Sequence, residues 1–150
     1  MEPLLHDTIL ALEHQTWKAL THSGAALLPY LSRDCIMLFP LGMKVSAKTS
    51  PNLDDVMMSE AFIPWRWYKL NDVEVTALGT EAAIITYRVM AARQRLSDNE
   101  EEEETDDDDD NQPQEQFRAL VSSTWRKDPE AGKWLMCVQQ QTPYPNDIDD

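Results

Sequence analysis

Two stretches of this chain alternate so strictly that they leave little choice of fold. Ala83, Ile85, Tyr87, Val89 and Ala91 fill every second position of one, and Phe117, Ala119, Val121, Ser123 and Trp125 every second position of the other. A period of two puts each set on one face of a strand, so one face meets a core or cavity and the other is wetter. Residues 65–77 and 133–142 are strand-like as well. Leu78-Gly79-Thr80-Glu81 reads as the turn of one hairpin and Asp128-Pro129-Glu130-Ala131-Gly132 as the turn of another.

The N-terminal third has a different period. Leu5, Ile9, Leu12 and Ala19 or Leu20 recur at three- and four-residue steps, which predicts an amphipathic helix over residues 4–22. Residues 25–31 predict a short second helix whose regularity Pro29 limits. Residues 34–39 read as an apolar strand ended by Pro40-Leu41-Gly42. Ser50-Pro51 then predicts the cap and first position of a third helix reaching about residue 60, with Asp54 and Asp55 in its first turn. Helices first, then long strands joined mostly by tight turns, is an α+β order.

Between the two alternating stretches lies LSDNEEEEETDDDDDNQ, residues 96–112. Of the 27 acidic residues, 12 fall within residues 98–115, where there is no base; the remaining 15 acids face 13 bases, so the rest of the chain is nearly neutral although the whole carries −14. Nucleic-acid binding needs clustered Lys and Arg, which are absent here. A block of like charge cannot bury apolar surface and repels itself, so about residues 97–115 read as a disordered loop inside a single 1–150 domain. A hairpin after the run is too little to fold alone, which excludes a second domain. Calcium affinity would be weak without turn glycines to fix the oxygens. A basic protein partner of this loop is the remaining alternative. Cys35 and Cys137 sit in apolar runs and read as reduced thiols of a cytoplasmic protein. The start lacks the features of a signal peptide, and no segment is long and apolar enough for a membrane span.

Taken together, Glu13-His14-Gln15-Thr16-Trp17, Leu27-Leu28-Pro29-Tyr30-Leu31, Phe39-Pro40-Leu41-Gly42, Thr124-Trp125-Arg126-Lys127, Lys133-Trp134 and Gln141-Thr142-Pro143 give the chain a resemblance. It resembles the nuclear-transport-factor-two-like superfamily, and within it the SnoaL-like and ketosteroid-isomerase-like small proteins. The resemblance implies a cone: a curled, mostly antiparallel sheet with three N-terminal helices, a pocket at the open end, and a homodimer paired through the sheet. The isomerase branch carries a tyrosine, an aspartate and a protonated acid at positions that align here with Trp17, Phe39 and Ser123. Proton transfer at carbon needs a base and oxyanion donors, so that mechanism does not carry over. Asp34 has the opposite strand parity to Phe39 and is expected to point away.

The resemblance places Trp17, Phe39, Met57, Trp67, Tyr87, Ser123 and Trp125 around an apolar cavity for a hydrophobic small molecule. The leading reading is therefore a small-molecule-binding or non-catalytic protein with no cofactor and no metal. One alternative is a SnoaL-like isomerase, cyclase or dehydratase acting on a polyketide- or terpenoid-like substrate, with His14 or Tyr87 as its acid or base. The other is a protein-interaction module using the outer sheet or the acidic loop. His6, His14 and His22 cannot share a metal, because eight residues of helix separate neighbours by about 12 Å of rise and about 80° of rotation. In Trp65-Arg66-Trp67-Tyr68, two rings on one side of a strand could stack on a flat ligand or fill a core or interface. Excising residues 96–112 is expected to leave the melting temperature and dimerisation nearly unchanged. A large drop in Tm by calorimetry would show that the acidic run packs on the fold.

Overall fold

A computed structural model describes residues 4–94 and 114–145. Helix α1 (Leu5–Leu20) is followed by a 3-10 turn (Ala25–Tyr30), strand β1 (Leu31–Phe39), a second 3-10 turn (Pro40–Gly42), β2 (Met43–Val45) and α2 (Leu53–Met57). Strands β3 (Trp67–Ala77), β4 (Ala82–Gln94), β5 (Gln114–Lys127) and β6 (Trp134–Pro143) complete the chain. The strands form one curled, unclosed sheet in the order β2-β1-β6-β5-β4-β3, antiparallel throughout except where β1 runs parallel to β6. Helix α1 packs against β3 and β4 and closes the inner face of the cone.

The two alternating stretches are β4 and β5, paired without a break from Ala82↔Arg126 to Gln94↔Gln114. Their apolar sets face inward: Ala83, Ile85, Val89, Ala91, Ala119 and Val121 are buried, and burying each large side chain contributes roughly 1.5–3 kcal/mol. Gln114 and Glu115 belong to β5, so the expected loop ran two residues too far, and residues 95–113, which join β4 to β5, lie outside the described residues.

Where alternation fails, a bulge explains it. Met136 and Gln139 are both buried although three residues apart, because the pairing jumps from Thr124↔Val138 to Trp125↔Met136 and leaves Cys137 as an extra residue. In β3 the pairing breaks between Asn71 and Glu74, with Asp72 at φ 57°, and inward packing shifts from Tyr68 and Leu70 to Val73 and Val75.

Three expectations need correction. Asn52, not Ser50, caps the third helix, its Oδ1 accepting from the Asp55 N–H at 2.9 Å, and the helix ends at Met57 rather than near residue 60. That helix follows β2, so only two of the three helical segments precede the sheet, and β2 itself was not expected. Third, the strand parity assumed for residues 65–68 does not hold, because β3 starts only at Trp67. Trp67 lies opposite Ala92 on the other face from Tyr68 and is 39 % exposed, while Trp65 and Tyr68 pack against Trp17.

Gly24, at the junction of α1 and the first 3-10 turn, lets the backbone come close to α2. A Cβ there would collide with the Met57 carbonyl oxygen. Gly24→Ala is expected to cost about 1–3 kcal/mol as the two segments separate, read as a lower urea midpoint with an unchanged slope.

Candidate functional site

At the centre of the cone stands an acid. Glu13 is 0 % exposed on the inner face of α1, one turn from Ile9 and one from Trp17, both equally buried. Its Oε2 accepts from the Tyr87 hydroxyl at 2.5 Å, the Ser123 hydroxyl at 2.6 Å and the Gln139 amide at 3.4 Å, and its Oε1 from the Trp125 indole N–H at 2.7 Å. The donors come from β4, β5 and β6. Trp17 donates its indole N–H to the Tyr87 oxygen at 2.7 Å, and Gln139 donates to the Ser123 oxygen at 3.2 Å.

These outer bonds fix the direction of the inner ones. With its oxygen accepting from Trp17, the Tyr87 hydroxyl directs its proton to Glu13. Ser123, accepting from Gln139, does the same, and an indole can only donate. Every neighbour is thus a donor and none accepts a carboxyl proton, so the network fits the carboxylate form. Burial works against it: removing water from the anion lifts the Glu13 carboxyl above the usual range, and the bonds from Ser123, Tyr87, Trp125 and Gln139 pull it back. Burial and the adjacent Glu13 charge push the Tyr87 phenol well above its ordinary value.

The residues expected around a cavity divide accordingly. Trp17, Tyr87, Ser123 and Trp125 do meet in the interior, but around Glu13 and with 2 % exposure or less. Met57 is buried and Phe39 half-buried against the same core. Trp67 lies on the outer face, as corrected above. His14 is exposed on α1, its Nδ1 3.3 Å from the Tyr68 hydroxyl. Asp34 points outward to Arg126 at 2.8 Å. Among the described residues no three His, Cys, Asp or Glu side chains gather as a metal site would require.

Sequence reasoning missed Glu13, although two signals marked it. An acid interrupts the apolar spacing Ile9–Glu13–Trp17 on the helix, and a serine interrupts the apolar alternation of β5 at Ser123. Each interruption is the hydrogen-bond partner of the other.

No protein-family model and no curated protein matches this sequence. Solved structures do match in shape. The calcium/calmodulin-dependent kinase II hub homology domain of Chlamydomonas reinhardtii is 13 % identical with a TM-score of 0.69, over 95 % of this chain and 100 % of that one. A nuclear-transport-factor-two-like protein of Cytophaga hutchinsonii is 16 % identical with a TM-score of 0.67, over 95 % and 100 %. The association domain of the Caenorhabditis elegans kinase is 12 % identical with a TM-score of 0.62, over 91 % and 93 %. The fold is therefore the nuclear-transport-factor-two-like cone.

Tyr87→Phe strips Glu13 of a donor and leaves the Trp17 N–H without an acceptor, an expected loss of about 1–3 kcal/mol in chemical denaturation. The carboxyl of Glu13 is raised in the folded state, so the native protein takes up a proton that the unfolded chain has released. Stability is therefore expected to fall as pH rises from the ordinary glutamate range through the raised folded value. Glu13→Gln is expected to remove that slope; a pH–stability profile identical in the variant would contradict the assignment.

Proposed function

We propose that this nuclear-transport-factor-two-like cone is a non-catalytic association module that pairs with a second copy of itself through the outer face of its sheet. The observation that carries the proposal is the character of that face over its central strands. Ile84, Thr86, Ser122, Thr124 and Gln140 present no charge there, and Leu120, directly across from Arg88, is 45 % exposed among them. A shallow groove of about 350 Å³ crosses the face, bounded toward β3 by Asp72, Glu74 and Arg88. Asp72 and Arg88 lie 3.7 Å apart and pair within the chain, so these two charges at the rim offset each other when a second copy approaches. The hub homology and association domains among the structural neighbours agree in kind with such a role.

Occupancy of the interior favours this reading over catalysis or ligand storage. Both oxygens of Glu13 are already engaged by protein donors, and the side chains around it exclude solvent. A substrate would have to displace Tyr87 or Ser123 to reach the carboxylate. The compartment that suits the chain is the cytoplasm. Both cysteines are free, burial pushes the Cys35 thiol up to about 12, and no helix among the described residues is long and apolar enough to cross a membrane.

Native mass spectrometry of the full chain is expected to report a dimer, and Leu120→Lys, a charge placed twice across the axis, is expected to convert it to monomer without lowering helix or strand content. A monomeric wild type at tens of micromolar would sink the proposal.

A further inference from the structure

The most exposed large apolar side chain among the described residues is Leu41, in the turn between β1 and β2, where it is 103 % exposed and nothing in its own copy covers it. An exposed leucine by itself calls for no explanation. The backbone beneath this one does. Leu41 has φ 68°, in the left-handed region where a Cβ crowds the following carbonyl and glycine is the favoured residue. Gly42 follows at φ 74°, so the turn has a glycine at one left-handed position and a bulky side chain, held clear of the fold, at the other. Met43, next along, is 52 % exposed. A residue that strains the turn and packs on nothing within the chain is suited to a contact outside it.

Register gives the turn its place relative to the outer face. Thr86, Ser122, Gln140 and Leu38 form one row across β4, β5, β6 and β1. Arg88, Leu120 and Thr142 form the next row, and there β1 leads into the turn, which packs beside β6. Leu41 thus stands level with Leu120 along the strands. The groove of about 350 Å³ lies at the same level, lined by Thr86, Leu120 and Ser122 on β4 and β5.

The strand order β2-β1-β6-β5-β4-β3 puts the midline of the sheet between β6 and β5, with β1 and β4 at equal distances on either side. A two-fold axis along that midline lays β1 of one copy over β4 of the other at the same level, and so brings each turn to the other copy's groove. Curl adds to the fit. The outer face is the convex one, with α1 inside the cone, and two convex faces that touch at the midline part toward their flanks. A gap of that kind takes a projecting side chain. Given pairing through the outer face, on which this rests, we infer that Leu41 is its anchor: the Leu41 side chain of each copy seats in the groove of the other, against Thr86 and Leu120. The strain at φ 68° is then offset only in the dimer.

The test compares the full chain with Leu41→Gly and Leu41→Met by sedimentation equilibrium, with isotope-filtered NOE spectra of a dimer mixed from labelled and unlabelled copies. Leu41→Gly relaxes the turn and removes the anchor from both copies. The dimer dissociation constant is expected to rise about tenfold or more, while the urea midpoint, read where both chains are monomeric, is no lower. Leu41→Met keeps the apolar bulk and is expected to stay within about threefold of wild type. The mixed dimer is expected to show contacts from the Leu41 methyls of one copy to Leu120 of the other. A dissociation constant unchanged by Leu41→Gly but raised by Leu120→Lys would overturn the anchor and leave pairing through the face standing. A lowered midpoint in Leu41→Gly would assign Leu41 to the stability of its own turn and overturn the anchor too. A wild type that stays monomeric would remove the pairing and the anchor together.

Discussion

Everything inside this cone is arranged around one buried negative charge. Removing a carboxylate from water costs several kcal/mol, and with no cation beside Glu13 among the described residues, hydrogen bonds offset that cost. The four donors come from three strands and the acceptor from the helix, so the network exists only when α1, β4, β5 and β6 are all in place. Apolar packing tolerates small slips of a helix on a sheet. This network does not, because a helix displaced by one residue would bring His14 or Leu12 to the donors. Glu13 therefore fixes the helix position to a degree that the surrounding alanines and valines cannot.

Much of the fold was legible because its longest strands obey a period of two on one face and its helix a period near 3.6. Strands β4 and β5, the two hairpin turns and the placement of the acidic run between neighbours in one sheet all follow from those patterns. What was not legible lies where the chain changes parity. At Cys137 and around Asp72 an extra residue turns the strand over, and no residue type announces it. Trp65-Arg66-Trp67-Tyr68 misled for a related reason, since parity has meaning only inside a strand and β3 begins at its third residue. At the centre, the residue types were read correctly as inward-facing, and the sequence could not say whether they enclosed space or each other. The answer turned on Glu13, whose charge sets it apart from the residues that usually fill such a stripe.

The outer surface divides into regions of different composition. Over the central strands of the sheet the outward residues Ile84, Thr86, Leu120, Ser122 and Thr124 form a short, hydroxylated or aliphatic patch flanked by Arg88 and Arg126. Beside α1 the exposed residues Asp7, Ala11, Gln15 and Lys133 surround the half-buried Tyr30 and Trp134. The acidic run joins two adjacent antiparallel strands, and relative to a turn of about four residues its length amounts to just over two doublings, a closure cost on the order of 1.3 kcal/mol. A ladder as long as that between β4 and β5 can carry such an insertion.

The position of β6 has a consequence for how the protein is made. The last strand of the chain lies third in the sheet, between β1 and β5, and its parallel contact with β1 joins residues about a hundred positions apart, Ile36 with Val138 and Leu38 with Gln140. During synthesis β1 and β2 therefore wait with one edge bare until β6 has emerged, and Glu13 lacks Gln139 for the same interval. The meander from β3 to β5 can form from local contacts, whereas joining the N-terminal strands to it is a single late, long-range event. Loss of residues 136–150, which takes every β6 partner of β1, would therefore split the sheet in two rather than trim its edge.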